Sequence, residues 1–487
     1  MPVAVKSRAG SFLLATVLAG LFPAMQTHAG SFYLPLHESP EIEARVERLF
    51  VLADMPIIKR PIPLSHIQKA LDKVDNRDPG LVSSIRRYLE RYESGAAITH
   101  FSVAAASGED KAVALANDRG YPSDSTYRAA LKSYIAFSDQ VALNIGGTIG
   151  ERAEGQRDEF PEGSFLSIGS DYVQADIGFR SHWWGPFQES DMLLSTQAAP
   201  MPNITFSNTR PLSLFGLNMS YEVFWARMSE SDGIASEDDR NIRLTGYPRL
   251  FGTHISFNPW TGFAIGFNRI LQYGGADRDG SLSGLLSAYV DAKNQDNVGR
   301  EGNDFGNQLS SVTTRYTFGK GFPVALYLEY AGEDSSRTSP AALGNSALMY
   351  GIHLPQLTRF LDLSWEYAEW QNSWYINSNY ADGLSNYGST LGHWGAERRV
   401  LPDGDVAGAK AQTLKLIWAL RAGTDLTVKY REIKNQEYSL APVHEPSSEF
   451  QAELSQSYKA VITGLGLLKG TNVFGDNYAQ FSAFLRW

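Results

Sequence analysis

The sequence has no cysteine among its 487 residues, which excludes disulfide bonds, thiol nucleophiles and thiolate metal ligands. It also lacks any uninterrupted apolar stretch of about 18 residues, the length that a membrane-spanning helix needs. Positive charge is scarce, because 43 Lys and Arg residues face 53 Asp and Glu residues and the formal net charge is -10. Nucleic-acid binding requires a basic surface, so we expect no nucleic-acid partner.

Residues 1–29 have the pattern of a signal peptide. Lys6 and Arg8 form a basic start, residues 9–23 are mostly apolar, and small residues at 27–29 offer a cleavage site. The mature chain is therefore expected to be exported. An exported chain without an apolar helix can enter a membrane only as a closed β-barrel. The bilayer core offers no hydrogen-bond partners, so every backbone N–H and C=O must be paired within the protein.

Residues 30–97 are predicted to form a small periplasmic bundle of three helices. Between positions 39 and 93, apolar residues recur at helical spacing in three short segments, and the opposite faces are charged. Three such helices can bury one another. The same pattern is compatible with two other roles, plugging the mouth of a barrel or docking periplasmic polysaccharide-export machinery.

Residues 98–487 change to a period of two, which is typical of strands. In the segment LDLSWEY at 361–367, for example, apolar and aromatic residues alternate with polar ones. Short turns such as 138–139 and 319–322 join some strands, whereas the alternate connections are long. This asymmetry predicts an all-β transmembrane antiparallel β-barrel of the outer-membrane type, and the length accommodates about 16 to 18 strands. The expected extracellular loops are 107–126, 151–163, 229–241, 272–307, 332–345, 371–408 and 435–449.

Trp183 and Trp184 stand in a stretch, 180–203, where the strand pattern stops and Gly185 and Pro186 fix a turn. Two adjacent indoles cannot both point into a core from one strand, so two interpretations remain open. In the first interpretation, the pair anchors a loop or sits in a membrane-interface belt. In the second, it forms an exposed platform for a sugar ring. The second interpretation places the pair at or above the outer rim. The polar groups beside it are Arg180, His182, Gln188, Glu189 and Asp191.

Patterns for catalysis or metal binding are weak. The acidic run 237–239 is compatible with calcium, but a solvated loop is the commoner fate of such a run. Glu329, Asp362 and Glu366 are compatible with a glycosidase carboxylate pair. Basic residues on inward faces instead favour a charge-balanced barrel wall; these are Arg315, Lys415, Lys429 and Arg431. We therefore expect no enzyme activity, no metal and no cofactor.

Three blocks of sequence carry a resemblance to a known family. They are HWWGP at 182–186 followed by LLSTQAAPMP at 193–202, LFGTHISFNP at 250–259 leading into GFAIGFNRILQYGG at 262–275, and YINSNYADGLSNYGSTLGH at 375–393. With the signal peptide, helices and barrel in this order, nearly the whole mature chain resembles the Wzi family of outer-membrane capsule-assembly proteins. The resemblance implies 18 strands, a periplasmic helical bundle and a lectin-like role. The sequence departs from the family pattern at Phe187, Gln197 and Ala198.

Together these observations predict a non-enzymatic outer-membrane protein of a Gram-negative cell that binds capsular or extracellular polysaccharide. It would help to attach or assemble this polymer at the cell surface. Aromatic rings stack on sugars and polar loop groups orient them. The candidate contacts are Arg180, His182, Trp183, Trp184, Gln188, Trp370, Trp374, Tyr375, Tyr380, Tyr387, His393 and Trp394.

The alternative function is a porin or sugar-selective channel, which predicts ion conductance. A barrel enzyme is a further rival, but it needs a nucleophile and base that the sequence does not offer. We expect a lumen that is closed or nearly closed to ions, with Glu329 paired to Arg315 and Glu366 paired to Lys415 inside it. Besides polysaccharide, the expected partners are outer-membrane lipid and lipopolysaccharide, and we expect a monomer.

Overall fold

The computed structural model describes residues 32–109, 114–151, 157–214, 216–290, 305–336, 339–396, 407–436 and 444–487. The predicted signal peptide lies outside these residues. None of the helices within the described ranges is long and apolar enough to cross a membrane.

One antiparallel sheet forms a closed barrel, as the sequence predicted. Its 20 described strand segments occupy 18 positions, because two positions are each made of two segments that pair with the same neighbour. The ring closes where Ala483 of the last strand lies opposite Ala105 of the first. In chain order the positions are β1 Ala96–Glu109, β2 Tyr127–Ser138, β3 Val141–Glu151, β4 Arg157–Phe160 with Phe165–Gly169, β5 Gln174–Gly178, β6 Asn203–Ser207 with Leu212–Leu214, β7 Leu217–Arg227, β8 Arg249–Trp260, β9 Phe263–Tyr273, β10 Gly306–Phe318, β11 Val324–Ser336, β12 Ser339–Thr358, β13 Leu361–Trp370, β14 Ala409–Arg421, β15 Thr424–Asn435, β16 Ser447–Tyr458, β17 Val461–Thr471 and β18 Asn477–Arg486.

Alternation along each strand sorts the side chains between the two faces of the barrel. In β11, Leu326 and Leu328 are 48% and 41% exposed on the outside, whereas Tyr327 and Glu329 are 3% and 0% exposed on the inside. An apolar outer face suits lipid and a polar inner face suits a filled lumen. The period of two in the sequence therefore corresponds to the alternation of outward-facing and inward-facing side chains along the barrel strands.

Several of the expected long loops contain regular structure, such as Arg157–Phe160 of β4 in 151–163 and Ser231–Ala235 in 229–241. The expected loop 332–345 is wrong, because β11 continues to Ser336 and β12 begins at Ser339, where the two strands still pair. The connection 272–307 contains a helix, α4, at Leu282–Val290. The connection 179–202 between β5 and β6 matters most, because it does not stay outside the barrel.

Three helices precede the barrel, and this prediction is confirmed. They are α1 at Pro40–Leu52, α2 at Leu64–Val74 and α3 at Pro79–Leu89. Pro40 occupies the first turn of α1, where its missing N–H costs nothing. The Asp78 side chain caps α3 by accepting a hydrogen bond from the Leu81 N–H at 3.0 Å. The apolar stripes of the helices meet in one buried core.

The helical segment, residues 32–93, occupies the end of the barrel that carries the short turns and leaves part of this end open, and we call it the plug. Arg77 donates to the Gly319 carbonyl in the β10–β11 turn, and the Gly319 N–H donates to Asp54 at 2.6 Å. On the opposite side of the ring, Arg486 of β18 donates to Glu41 at 2.7 Å. Of the roles left open for the helices, the structure shows the plugging of a barrel mouth. The other end is called the long-loop end.

Candidate functional site

The stretch around Trp183 and Trp184 belongs to residues 179–202, the central loop, which leaves the wall after β5 and crosses the lumen. Carboxylates on the wall receive its backbone N–H groups. Glu366 accepts from the N–H of Gln188 at 2.7 Å and of Glu189 at 3.1 Å, and Glu329 accepts from the N–H of Met192 at 3.1 Å. Buried backbone donors need such partners, so these carboxylates hold the loop inside.

The predicted pairing of Glu329 with Arg315 and of Glu366 with Lys415 is wrong. Both carboxylates serve the central loop, and the third carboxylate considered for glycoside hydrolysis, Asp362, accepts instead from His353 at 2.8 Å. The charges do face inward as predicted. The partners of Glu329, Glu366, Arg315 and Lys415 come from the loop and the plug rather than from neighbouring strands, which spacing along a strand cannot show.

Glu222 of β7 is a buried carboxylate that accepts hydrogen bonds from side chains in and next to the HWWGP motif. It accepts from Arg180 at 2.9 Å, from His182 Nδ1 at 2.8 Å and from Trp184 Nε1 at 2.8 Å, while Lys59 Nζ lies 3.5 Å away. A carboxylate only accepts, so His182 carries its proton on Nδ1. Four donors converge on one fully buried side chain. These polar groups bind the barrel wall instead of lying free for a ligand.

Trp183 faces the opposite direction and packs against the plug. Its backbone pairs with Arg60 through hydrogen bonds of 2.9 and 3.1 Å, and the Arg60 guanidinium lies 5.8 Å from the indole centroid. Trp183 and Trp184 are 1% and 0% exposed. The predicted placement at the outer rim is therefore wrong. Both indoles are buried because the central loop is enclosed on two sides, by the wall and by the plug.

An ionic chain joins the wall, the plug and the central loop. Arg315 of β10 donates to Glu47 of α1 at 2.8 Å, and Arg60 donates to the other oxygen of the same carboxylate. The two arginines also donate to the loop carbonyls of Gly185 at 3.0 Å and Pro186 at 3.2 Å. Burial alone would raise the pKa of Glu47, but the two guanidinium groups lower it to about 2.

Gly185 allows the turn of the central loop to close on Asp191. A Cβ at position 185 would lie 1.6 Å from a carboxylate oxygen of Asp191, so no other residue fits here without displacing the Asp191 side chain. Burial, followed by the neighbouring Glu329 carboxylate, raises the pKa of Asp191 well above its ordinary value. The glycine is thus required by packing as well as by the turn.

The described part of the connection from β13 to β14, residues 371–396, forms an outer loop that covers the central loop. Ser195 donates its backbone N–H to Leu391 at 2.9 Å, and Tyr375 donates its hydroxyl to the carbonyl of Met192. The aromatic and imidazole candidates here are between 0% and 4% exposed; they are Trp370, Trp374, Tyr375, Tyr380, His393 and Trp394. They form a core beneath the loop and present no free ring faces.

Tyr387 is the exception among the candidates, because its ring is 47% exposed at the long-loop end. It lies between the paired residues Ser385–Asn386 and Ser389–Thr390, with a positive φ of 50°. Its ring packs on Phe160, with centroids 5.3 Å apart. The adjacent Asn386 accepts from the Ser229 N–H at 2.7 Å and donates to the Ala199 carbonyl at 2.9 Å, which fixes the hairpin on the central loop.

The two remaining expectations concern Gln188 and the acidic run 237–239. Gln188 is partly exposed inside the barrel, where it lines a cavity with Glu189. Asp239 accepts from the N–H of Asn241 at 2.9 Å within its own loop. Within the described ranges, no three His, Asp or Glu side chains are grouped in a way that could hold a metal ion.

Residues 99–471 match the model of the family described as Capsule assembly protein Wzi. A Klebsiella pneumoniae relative, described as an uncharacterized 55.8 kDa protein in the cps region, is 26% identical over 170 residues. This match covers 34% of the present chain and 32% of the relative, so the chain matches about a third of the relative's length.

Among solved structures, the fold is similar to an Escherichia coli protein described as Wzi, an outer membrane protein involved in group 1 capsule assembly and a carbohydrate binding β-barrel. The TM-score is 0.67 at 16% identity, covering 91% of this chain and 97% of that one. Pseudomonas aeruginosa OccK5 has a TM-score of 0.48 at 9% identity, covering 80% of this chain and 96% of that one. Since the family model matches well over half of the sequence, the chain belongs to the Wzi family of capsule assembly proteins.

Proposed function

We propose that the protein is a non-enzymatic, lectin-like protein of the Gram-negative outer membrane that binds capsular or extracellular polysaccharide. It helps to attach or assemble this polymer at the cell surface through the long-loop end. The observation that carries the proposal is the exposed ring of Tyr387, held on a braced hairpin at the end opposite the plug. Membership of a capsule-assembly family and the carbohydrate binding of the similar Escherichia coli barrel support it.

A fixed aromatic ring is a good sugar contact because little conformational entropy is lost on stacking. The eleven buried or partly buried candidates take a different role in this proposal. Ten of them hold the central loop against the wall and the plug or pack beneath the outer loop, and Gln188 lines the cavity. The polymer then contacts the surface of the outer loop at the long-loop end.

Tyr387→Ala is expected to weaken binding of the cell's own capsular polysaccharide about fivefold per site, because a stacked ring contributes about 1 kcal/mol. Tyr387→Phe should bind like the wild type, since it keeps the ring. Tyr172→Ala is a matched control, because Tyr172 is 49% exposed in a short turn. Binding to purified, folded barrel is the measurement, and equal binding by Tyr387→Ala and wild type would remove Tyr387 from the site.

The plug, with the preceding segment from residue 30, is proposed to lie in the periplasm, and the long loops outside the cell. Single cysteines test this arrangement cleanly, because the chain has none of its own. Ser83 on α3 and Ala381 on the outer loop are both exposed. An impermeant thiol reagent should label Ala381→Cys on intact cells and Ser83→Cys only after the outer membrane is permeabilised. Labelling of Ser83→Cys on intact cells would invert the topology.

Lipopolysaccharide, outer-membrane lipid and periplasmic export machinery are the proposed partners in addition to polysaccharide, and the protein is proposed to act as a monomer. The described plug, central loop and outer loop fill much of the lumen. Little steady ion conductance therefore stays our prediction for the reconstituted protein, and channels of porin size would favour the alternative function.

A further inference from the structure

A cavity of about 1170 Å³ lies inside the barrel, between the plug and the wall formed by β13 to β18 and β1. It reaches the short-turn end, where residues 359–361, 421–423 and 459–460 line it. Its inner part reaches the central loop at Gln188 and the outer loop at Trp394. The volume exceeds the roughly 300–1,000 Å³ of common small-molecule sites, so a short chain of sugars fits better than one metabolite.

The lining of this cavity is more positive than the rest of the molecule. Thirteen Lys and Arg residues and ten Asp and Glu residues line it, although the whole chain has a net charge of -10. Five of these cations lie near the short-turn end and have no Asp or Glu within 4.0 Å among the described residues; they are Arg87, Arg91, Arg359, Arg421 and Lys459. A mouth lined by unpaired cations attracts anions and concentrates them inside.

Around Glu189, the lining has more cations than carboxylates. Glu189 is approached by Lys415 at 2.9 Å, Lys429 at 2.6 Å and Arg431 at 3.5 Å. Of these three cations, only Arg431 has a second carboxylate, Glu449, within 4.0 Å among the described residues. The Lys415 and Lys429 side chains stay 17% and 18% exposed, so their ammonium groups remain within reach of a ligand.

Three amide side chains with incomplete hydrogen bonding belong to the inner wall. Gln188, Gln197 and Asn117 line the cavity, and the side-chain nitrogen of each glutamine and the side-chain oxygen of Asn117 are buried and have no hydrogen-bond partner among the described residues. Gln197 is only 3% exposed. Buried amides are usually satisfied. Donors and acceptors of this kind match the hydroxyl groups of a sugar.

We propose that this cavity binds a segment of acidic, carboxylate-bearing oligosaccharide that enters from the short-turn end. The inference rests on the proposed polysaccharide-binding function and extends it from the outer surface to the interior. Carboxylates of the sugar pair with Arg421, Lys459 and the inner lysines, and its hydroxyl groups pair with the amides. An anionic lipid headgroup would satisfy the mouth cations but would leave the amides inside the barrel unmatched.

The test uses the purified full-length barrel in detergent and a fluorescent short oligogalacturonate as probe. The double variant Arg421→Gln/Lys459→Gln is expected to weaken probe binding about tenfold at low salt, with a smaller difference at high salt because ions screen the contacts. Lys69→Gln/Lys320→Gln is the matched control. It removes the same charge from exposed residues of the same end that do not line the cavity. The control should bind like the wild type.

Gln188→Leu provides a second test, because the side-chain nitrogen of Gln188 has no hydrogen-bond partner among the described residues while its backbone N–H holds the central loop. It should weaken the probe without changing the salt dependence. Equal binding by all variants, or equal losses in both double variants, overturns the proposal. Binding of phosphatidylglycerol micelles but not of oligogalacturonate at Arg421 and Lys459 also overturns it in favour of a lipid site.

The two levels of the hypothesis fail separately. If Tyr387→Ala weakens binding of the capsular polymer while the cavity variants bind the probe like the wild type, only the inner site is refuted. If the cavity variants bind the probe more weakly but Tyr387→Ala leaves polymer binding unchanged, the inner site stands and the outer contact is wrong. Failure of both probe and capsular polymer to bind folded protein refutes the proposed function itself.

Discussion

Glu222→Ala is expected to destabilise the folded barrel by about 3–5 kcal/mol, because it removes the fully buried acceptor that Arg180, His182 and Trp184 share. Removing one partner of a buried ionic cluster costs more than the cluster contributes as a whole, since the remaining charges stay desolvated. Lys59, at 3.5 Å, also loses its counterion. The measurement is the midpoint of heat-induced loss of the compact, heat-modifiable form.

Glu432→Ala is the matched control for this experiment. Glu432 of β15 forms an ion pair with Lys434 at 2.6 Å, and both side chains remain partly exposed, at 22% and 57%. An exposed pair contributes at most about 1 kcal/mol. A midpoint for Glu222→Ala as close to wild type as that of Glu432→Ala would show that Glu222 does not hold the central loop.

Trp183→Ala and Trp184→Ala should lower the stability of the barrel by about 3–5 kcal/mol each without changing polysaccharide binding per folded molecule. Both rings are buried, and each truncation leaves a cavity between the central loop and its surroundings. Trp184→Ala also leaves Glu222 without one of its donors. The measurements are the heat-modification midpoint and the cell-associated polymer normalised to folded barrel.

Trp260→Ala serves as the comparison, because Trp260, the last residue of β8, is 58% exposed. It should change neither quantity appreciably. Polymer retention that falls in the Trp183 and Trp184 variants at equal folded protein would return the pair to the binding site and would contradict the enclosed placement.

The barrel and the plug helices were predictable because their signals are local. A period of two requires only that one face of each strand differs from the other, and β11 and β13 show this plainly. The helices were recognisable from apolar stripes of the same local kind, such as Ile67, Leu71 and Val74 of α2. Neither signal depends on what lies across the lumen.

The course of the central loop was not predictable from the same patterns, because long-range partners determine it. Glu366 and Glu329 lie more than a hundred positions from the loop N–H groups that they accept. One local signal was available. Met192, Leu193 and Leu194 are consecutive apolar residues in a loop, and all three are at most 2% exposed. An apolar run between strands is better explained by burial than by an exposed sugar platform.

The ion pair between Glu41 and Arg486 joins residues 445 positions apart, and the same β18 seals the ring against β1. Closing so large a chain loop carries an entropic cost before any contact compensates it. The plug is therefore synthesised first but reaches its final position last. The barrel end that holds it is complete only after β18 has paired with β1. Insertion of the barrel and seating of the plug are consequently one coupled step of biogenesis, and a chain truncated before β18 loses both.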